Sequence, residues 1–179
     1  QADHNIHGGS LNYTLSSKDY KHRLNVYTSI QSIGRESYYG AGQDTNAYGK
    51  TKDFTVVGGT QYSHDFDNFL FMPSSLTAGI EYSYNKLNDL MLGYRREINQ
   101  DVSVYSAYLQ NEWKTGQFSF LLGGRLDKNS KIDDPIFSPR LNIRYNPIPD
   151  LSLRASYSEG FRAPQTYDED LHVAAVGGE

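Results

Sequence analysis

The segment Leu151-Ser152-Leu153-Arg154-Ala155-Ser156-Tyr157 constrains this chain most, because it alternates without a break. Leu151, Leu153, Ala155 and Tyr157 share one parity; Ser152, Arg154, Ser156 and Ser158 share the other. In a strand these two sets face opposite sides of a sheet. One side is apolar and ends in an aromatic ring, and the other is polar and charged. That is the pattern of a wall between lipid and water. Glu159-Gly160-Phe161-Arg162-Ala163-Pro164 follows, where the wall stops and a functional loop begins.

The same period recurs along the chain and predicts eight strands in four antiparallel hairpins. The first three run from about Gly9 to Ser16, Tyr20 to Ser32, and Asp53 to His64. The fourth, Ser74 to Tyr84, alternates Leu76, Ala78, Ile80, Tyr82 and Tyr84 with Thr77, Gly79, Glu81 and Ser83. Asp101 to Trp113, Gln117 to Asp127, Ser138 to Asn146 and Leu151 to Ser158 complete the set. In the fifth, Val102 and Val104 favour one parity and Ala107, Leu109 and Trp113 the other, so a bulge is expected to reset the register. Connections alternate short and long. Short turns are expected after Ser16, beginning with Asp65-Phe66-Asp67-Asn68, at Lys114–Gly116 and at Pro147–Asp150; Pro73 forbids a central ladder position in the second. Long polar loops are expected at Ile33–Lys52, Asn85–Gln100 and Lys128–Phe137. In outer-membrane barrels the short turns face the periplasm and the long loops face outside.

Composition alone would mislead. Hydrophobic residues make up 37% of the 179, and mean hydropathy is -0.64. No stretch approaches the roughly 20 apolar residues of a spanning helix, but a barrel strand is apolar only at alternate positions. The 15 tyrosines beside 8 Phe and 1 Trp suit interfacial girdles. A soluble, tyrosine-rich β-sandwich remains the other reading of those numbers. Cysteine is absent, which excludes disulfides and thiolate metal sites. A net charge of -4 speaks against a nucleic-acid partner. The termini carry neither a leader nor a closing strand, so a mature or excised piece of a longer protein is expected.

Little here points to an enzyme. The five histidines (His4, His7, His22, His64 and His172) form no His-Glu-x-x-His pair, and no Gly-x-Ser-x-Gly elbow occurs. His4-Asn5-Ile6-His7 offers two metal ligands or a frayed terminus. Asp168-Glu169-Asp170 lacks the spacing of a calcium loop. Binding candidates are clearer. Arg35, Tyr38, Tyr39 and Tyr48 flank a glycine-rich loop and suit a bulky polar ligand, or else a loop packing on itself. Tyr94, Arg95 and Arg96 suit an anionic ligand or lipid headgroups. Glu81, Arg125, Asp127, Arg140, Arg144 and Arg154 fall on the polar parity, where they pair across strands, line water or contact a plug.

Four segments together resemble the TonB-dependent receptors, the plugged transporters of Gram-negative outer membranes. They are Tyr105 to Trp113, Leu122-Gly123-Gly124-Arg125-Leu126-Asp127, Ser138-Pro139-Arg140-Leu141, and Leu151 through Pro164, in the family's order. The resemblance implies an all-β, antiparallel transmembrane barrel of roughly 22 strands with a plugged lumen, of which residues 1–179 are an internal part without plug, TonB box or C-terminal strands. An eight-stranded closed barrel is the structural alternative. The implied function is TonB-energised import of a scarce iron complex, a ferric siderophore above all. The iron complex is cargo, and no cofactor is expected. Implied partners are outer-membrane lipid, the protein's own plug, TonB and the chelate, with open strand edges free to self-associate. Haem is the alternative ligand: Phe161-Arg162-Ala163-Pro164 and His172 favour it, while the Asn-Pro-x-Leu that follows in haem receptors is replaced by Gln165-Thr166-Tyr167-Asp168. Cobalamin, or a passive outer-membrane pore, stands further off.

Overall fold

The computed structural model describes residues 2–38, 48–92 and 96–160. Eight strands follow one another: β1 (Ala2–Ser16), β2 (His22–Tyr38), β3 (Tyr48–Phe69), β4 (Met72–Met91), β5 (Arg96–Lys114), β6 (Phe118–Asn129), β7 (Ile136–Ile148) and β8 (Leu151–Ser158). Each pairs antiparallel with the next, and the sheet order is β1-β2-β3-β4-β5-β6-β7-β8. No β8–β1 pairing closes it, so the sheet is an open wall and the closed eight-stranded alternative is set aside. β1 and β8 are exposed throughout, as edges are.

Burial is inverted relative to a water-soluble domain. Among the described residues only Leu87 and Trp113 are buried hydrophobics, whereas Ser63, Ser106, Ser119, Asp89 and Asn129 are buried. Ile80 is 60% exposed, Leu109 56% and Leu122 52%. The register places these three on one face with Leu24, Leu141 and Leu153. The opposite face carries Asn25, Gln61, Glu81 and Arg125. A sheet that shows its leucines and hides its serines is stable only where the outside is apolar.

Aromatic rings bound the apolar band. Tyr82 and Tyr105 pair across β4 and β5 with centroids 4.8 Å apart at the upper rim. Trp113 marks the lower rim, near the short turns. It stacks between Phe71 and Phe120, each at 5.5 Å, and its Nε1 donates to the Phe69 carbonyl at 2.9 Å. Tyr105 and Trp113 lie eight positions apart, about 27 Å of strand at ~3.4 Å per residue. A tilt of roughly 40° reduces that to about 21 Å of height, close to the ~25 Å apolar band of such barrels.

The strands are longer than the sequence predicts. β3 has 22 residues and β4 has 20. Ile33–Tyr38, Tyr48–Lys52, Asn85–Met91 and Arg96–Gln100, expected as loop, are strand. The β3–β4 turn is only Leu70–Phe71, inside the longer connection expected to begin at Asp65–Asn68, and Leu70 takes φ 66. Pro73 sits where the register jumps from Phe66↔Ser74 to Phe69↔Met72, so it interrupts no regular ladder. The bulge expected in β5 is absent: β4 pairs with it continuously from Ser74↔Trp113 to Met91↔Arg96. Val102 and Val104 simply belong to the inner parity, above the membrane band. In the β1–β2 turn, Tyr20 takes φ 58. There the Ser17 hydroxyl and the Lys21 amide donate to the Asp19 carboxylate and hold its pKa below the ordinary range.

Candidate functional site: a polar network on the inner face

Antiparallel register turns residues scattered along the sequence into transverse rows. One inner-face row reads Tyr27, Gly59, Glu81, Ser106, Asp127 across β2 to β6. The next row towards the short turns reads Asn25, Gln61, Gly79, Tyr108, Arg125. Each row holds a glycine beside a tyrosine. The Tyr27 ring crosses Gly59 and donates its hydroxyl proton to Glu81 Oε2 at 2.6 Å. In the opposite direction, Tyr108 crosses Gly79 and donates to Gln61 Oε1 at 2.9 Å.

Arg125 joins the rows. Its Nη2 donates to Glu81 Oε1 at 2.9 Å and to Ser106 Oγ at 2.7 Å, while Nε donates to Asp127 Oδ1 at 2.8 Å. The Ser106 hydroxyl donates in turn to Asp127 Oδ1 at 2.5 Å. A guanidinium holds two carboxylates in fixed planes because its donors form a rigid fork. Two carboxylates and one cation leave the cluster net negative. The three side chains are partly exposed, at 38% for Arg125, 24% for Glu81 and 16% for Asp127, so the network still presents a polar surface. It contains no nucleophile–base pair. Among the described residues no group of three or more metal-ligating side chains forms. Its chemistry is recognition and rigidity.

The structure brings together Glu81, Arg125 and Asp127 from the sequence-predicted set. Arg140, Arg144 and Arg154 share the inner face but stand apart from that network. Arg144 lies directly opposite Arg154, and its buried Nε has no partner among the described residues. Of the outer-end candidates, Arg35, Tyr38, Tyr48 and Arg96 are strand residues rather than loop residues. Parity divides them. Arg35 and Arg96 are inward, in the neighbourhood of Asp89, a residue 3% exposed whose carboxylate accepts from Thr51. Tyr38 and Tyr48 pack against each other in a tilted arrangement, ring centroids 4.9 Å apart, on the outward parity. They therefore face the side of the sheet opposite to Arg35. Tyr39, Tyr94, Arg95, Phe161, Arg162 and His172 lie outside the described residues. His4 and His7 both belong to β1 rather than a frayed end; three positions apart, they face opposite sides and cannot share an ion.

Tyr27, Tyr108, Gln61, Ser106 and Asp89 were not singled out from the sequence. A signal for the tyrosines existed: each stands on the polar parity of its strand, where a girdle ring does not belong.

A family model described as TonB dependent receptor-like, beta-barrel matches residues 1–177. A double mutant of the ferric enterobactin receptor PfeA from Pseudomonas aeruginosa superposes with a TM-score of 0.78 at 15% identity, over 93% of this chain and 26% of that one. The ferripyoverdine receptor of the outer membrane of P. aeruginosa, bound to ferripyoverdine, gives 0.63 at 13% identity, over 86% and 26%. The complex of FpvAI with pyocin S2 gives 0.66 at 13%, over 86% and 25%. The chain spans about a quarter of the length of these structures, and at such identities the likeness is one of fold. No curated protein sequence matches. With its exposed apolar face, its polar inner network and a family match over nearly its whole length, this chain belongs to the TonB-dependent receptor β-barrels, a family of receptors rather than enzymes.

Proposed function

We propose that this chain is the wall and part of the outer vestibule of a receptor that imports a ferric siderophore across the outer membrane of a Gram-negative bacterium. Residues 1–179 are in this reading a partial barrel domain, and the plug, the TonB-contacting box and the remaining strands belong to other parts of the polypeptide. Ligand binds above the membrane, and TonB, energised from the inner membrane, remodels the plug to let it pass. The observation that carries the reading is the inner face itself. A lumen filled by a folded plug needs a wall of ordered, hydrogen-bonding side chains, and Tyr27, Glu81, Arg125 and Asp127 supply one in fixed geometry. Arg35 and Arg96, on the inward parity above the band, supply positive charge for an anionic chelate.

The test is growth of a strain lacking the receptor on single iron sources. Rescue by one ferric siderophore, abolished when TonB is removed, is the expected result. Rescue by haem or cobalamin alone would replace the ligand and keep the transporter. Passage of small solutes independent of TonB would replace the transporter with a passive pore.

A further inference from the structure

Below the tyrosine rim, Arg23 and Arg125 on the inner face are matched where they stand. Arg23 meets Asp65 at 3.6 Å, and Arg125 meets Glu81 at 2.9 Å and Asp127 at 2.8 Å. The lower inner face of β5 to β8 breaks that pattern. One row reads Lys114-Ser119-Arg144-Arg154, beside Trp113 and the short turns. Three cations and no carboxylate share it. Arg140, opposite Ser158 and two rows up, adds a fourth cation. None of the four enters an ion pair among the described residues. Against them stand Glu112, one row up, whose Oε1 accepts from Ser119 at 2.6 Å, and Asp150 in the β7–β8 turn. Four cations against two carboxylates leave an excess of two positive charges.

Like charges directly opposite each other destabilise an antiparallel pair. A guanidinium does not lose its proton in proteins, so Arg144 and Arg154 have no relief by titration. The sheet offers Arg144 no partner either. Its neighbours are Ser119 on one side and Arg154 on the other, and its Nε is buried without a hydrogen bond. A counter-anion therefore reaches it only from the lumen. Opposed Cβ atoms stand about 5 Å apart, close enough for two planar forks to hold one anion between them.

We propose that Lys114, Arg144 and Arg154 form a second anion station, which receives a multiply charged ferric chelate as it leaves the lumen. Charge matching selects the occupant. A single carboxylate would leave two of the three cations unmatched, whereas an iron(III) tris-catecholate is a compact trianion. A neutral iron(III) hydroxamate gains nothing from the row. The station is separate from the vestibule: 18 positions of β5 lie between Arg96 and Lys114, about 47 Å of height at ~3.4 Å per residue and a tilt of roughly 40°. Arg125, between the two, is already committed to Glu81 and Asp127. The proposal rests on the import reading above and adds to it the sign of the cargo's charge and a point of discrimination at the exit.

The complete polypeptide that carries this chain, purified in detergent, tests it. Phenylglyoxal modifies accessible arginines, and mass spectrometry of the digest reads each one. Iron(III) tris-catecholate is expected to protect Arg144 and Arg154, and the neutral iron(III) tris-acetohydroxamate to leave them reactive. K114Q/R154Q is expected to weaken the protection of Arg144 about 100-fold, on the order of tenfold for each cation removed. K50Q is expected to leave it within twofold. Arginines that phenylglyoxal cannot reach in the free polypeptide would mean that the protein's own plug fills the row, and would overturn the proposal. So would absence of protection by the tris-catecholate, equal protection by inorganic phosphate or by the neutral complex, or protection unchanged in K114Q/R154Q. Growth on single iron sources, read in parallel, separates the two readings: TonB-dependent rescue beside an unprotected row keeps the importer and removes the station, whereas TonB-independent passage removes the importer.

Discussion

Adding one methyl group at Gly79 tests whether the inner network depends on register. An ideal Cβ there would lie 2.4 Å from both Cζ and the hydroxyl oxygen of Tyr108, and 2.8 Å from its Cε1. Ordinary contact begins near 3.4 Å, so the ring must move by about 1 Å. That displacement takes the 2.9 Å bond to Gln61 out of hydrogen-bonding range. Overpacking costs about 1–3 kcal/mol, the lost bond about 1 kcal/mol, and relief of glycine's strand entropy returns roughly 0.5 kcal/mol. Gly79→Ala should therefore destabilise by about 1.5–3.5 kcal/mol, the sum of these contributions. Tyr108→Phe alone should cost about 1 kcal/mol. In a Tyr108→Ala background the methyl has nothing to strike, and Gly79→Ala should fall within about 0.5 kcal/mol of neutral. Urea unfolding in phospholipid vesicles gives the four corners of this cycle. Additive effects, with coupling below about 0.5 kcal/mol, would refute the claim that the glycine exists to seat the tyrosine.

Three further outcomes are expected. Leu109 lies midway between Tyr105 and Trp113, and Leu109→Arg should cost about 2–4 kcal/mol in a bilayer, although an equally exposed leucine on a soluble domain would tolerate arginine; Gln110→Arg, one residue along and facing the lumen, should be close to neutral by the same unfolding assay. Arg125→Ala should destabilise by about 1–3 kcal/mol, because it strips Glu81 and Asp127 of their shared partner, and Arg125→Lys should recover only part of it for want of the fork; urea midpoints of the two variants decide. Trp113 is the chain's single tryptophan, so brominated lipids should quench its fluorescence more strongly when labelled near the headgroup than at the bilayer centre, and quenching strongest at the centre would misplace the lower rim.

Strand parity was readable from local sequence because alternation needs no knowledge of neighbours. Leu76, Ala78, Ile80 and Tyr82 declare their face against Thr77, Gly79 and Glu81 whatever lies beside them, and the coordinates keep that assignment. The strand extensions beyond the tyrosine rim were unreadable for the converse reason. Arg35, Lys50, Asn88 and Asn99 lie on strands beyond the apolar band, where both faces are polar and no alternation is imposed. Polar strands of that kind read as loop. The bulge expected in β5 came from the same source: Val102 and Val104 were measured against a lipid pattern that no longer applies at their height.

What the sequence determined by itself was the wall: two chemically opposite faces, folded into hairpins and bordered by aromatic rings, because a period of two and a turn are local properties of the chain. What only the tertiary structure decided was which inner-face residues meet. Tyr27 reaches Glu81 across 54 positions and Arg125 reaches it across 44, with Gly59 and Gly79 clearing the path for the two rings. Those distances close through the register of five strands at once, and register is a cooperative property of the sheet that no single segment carries.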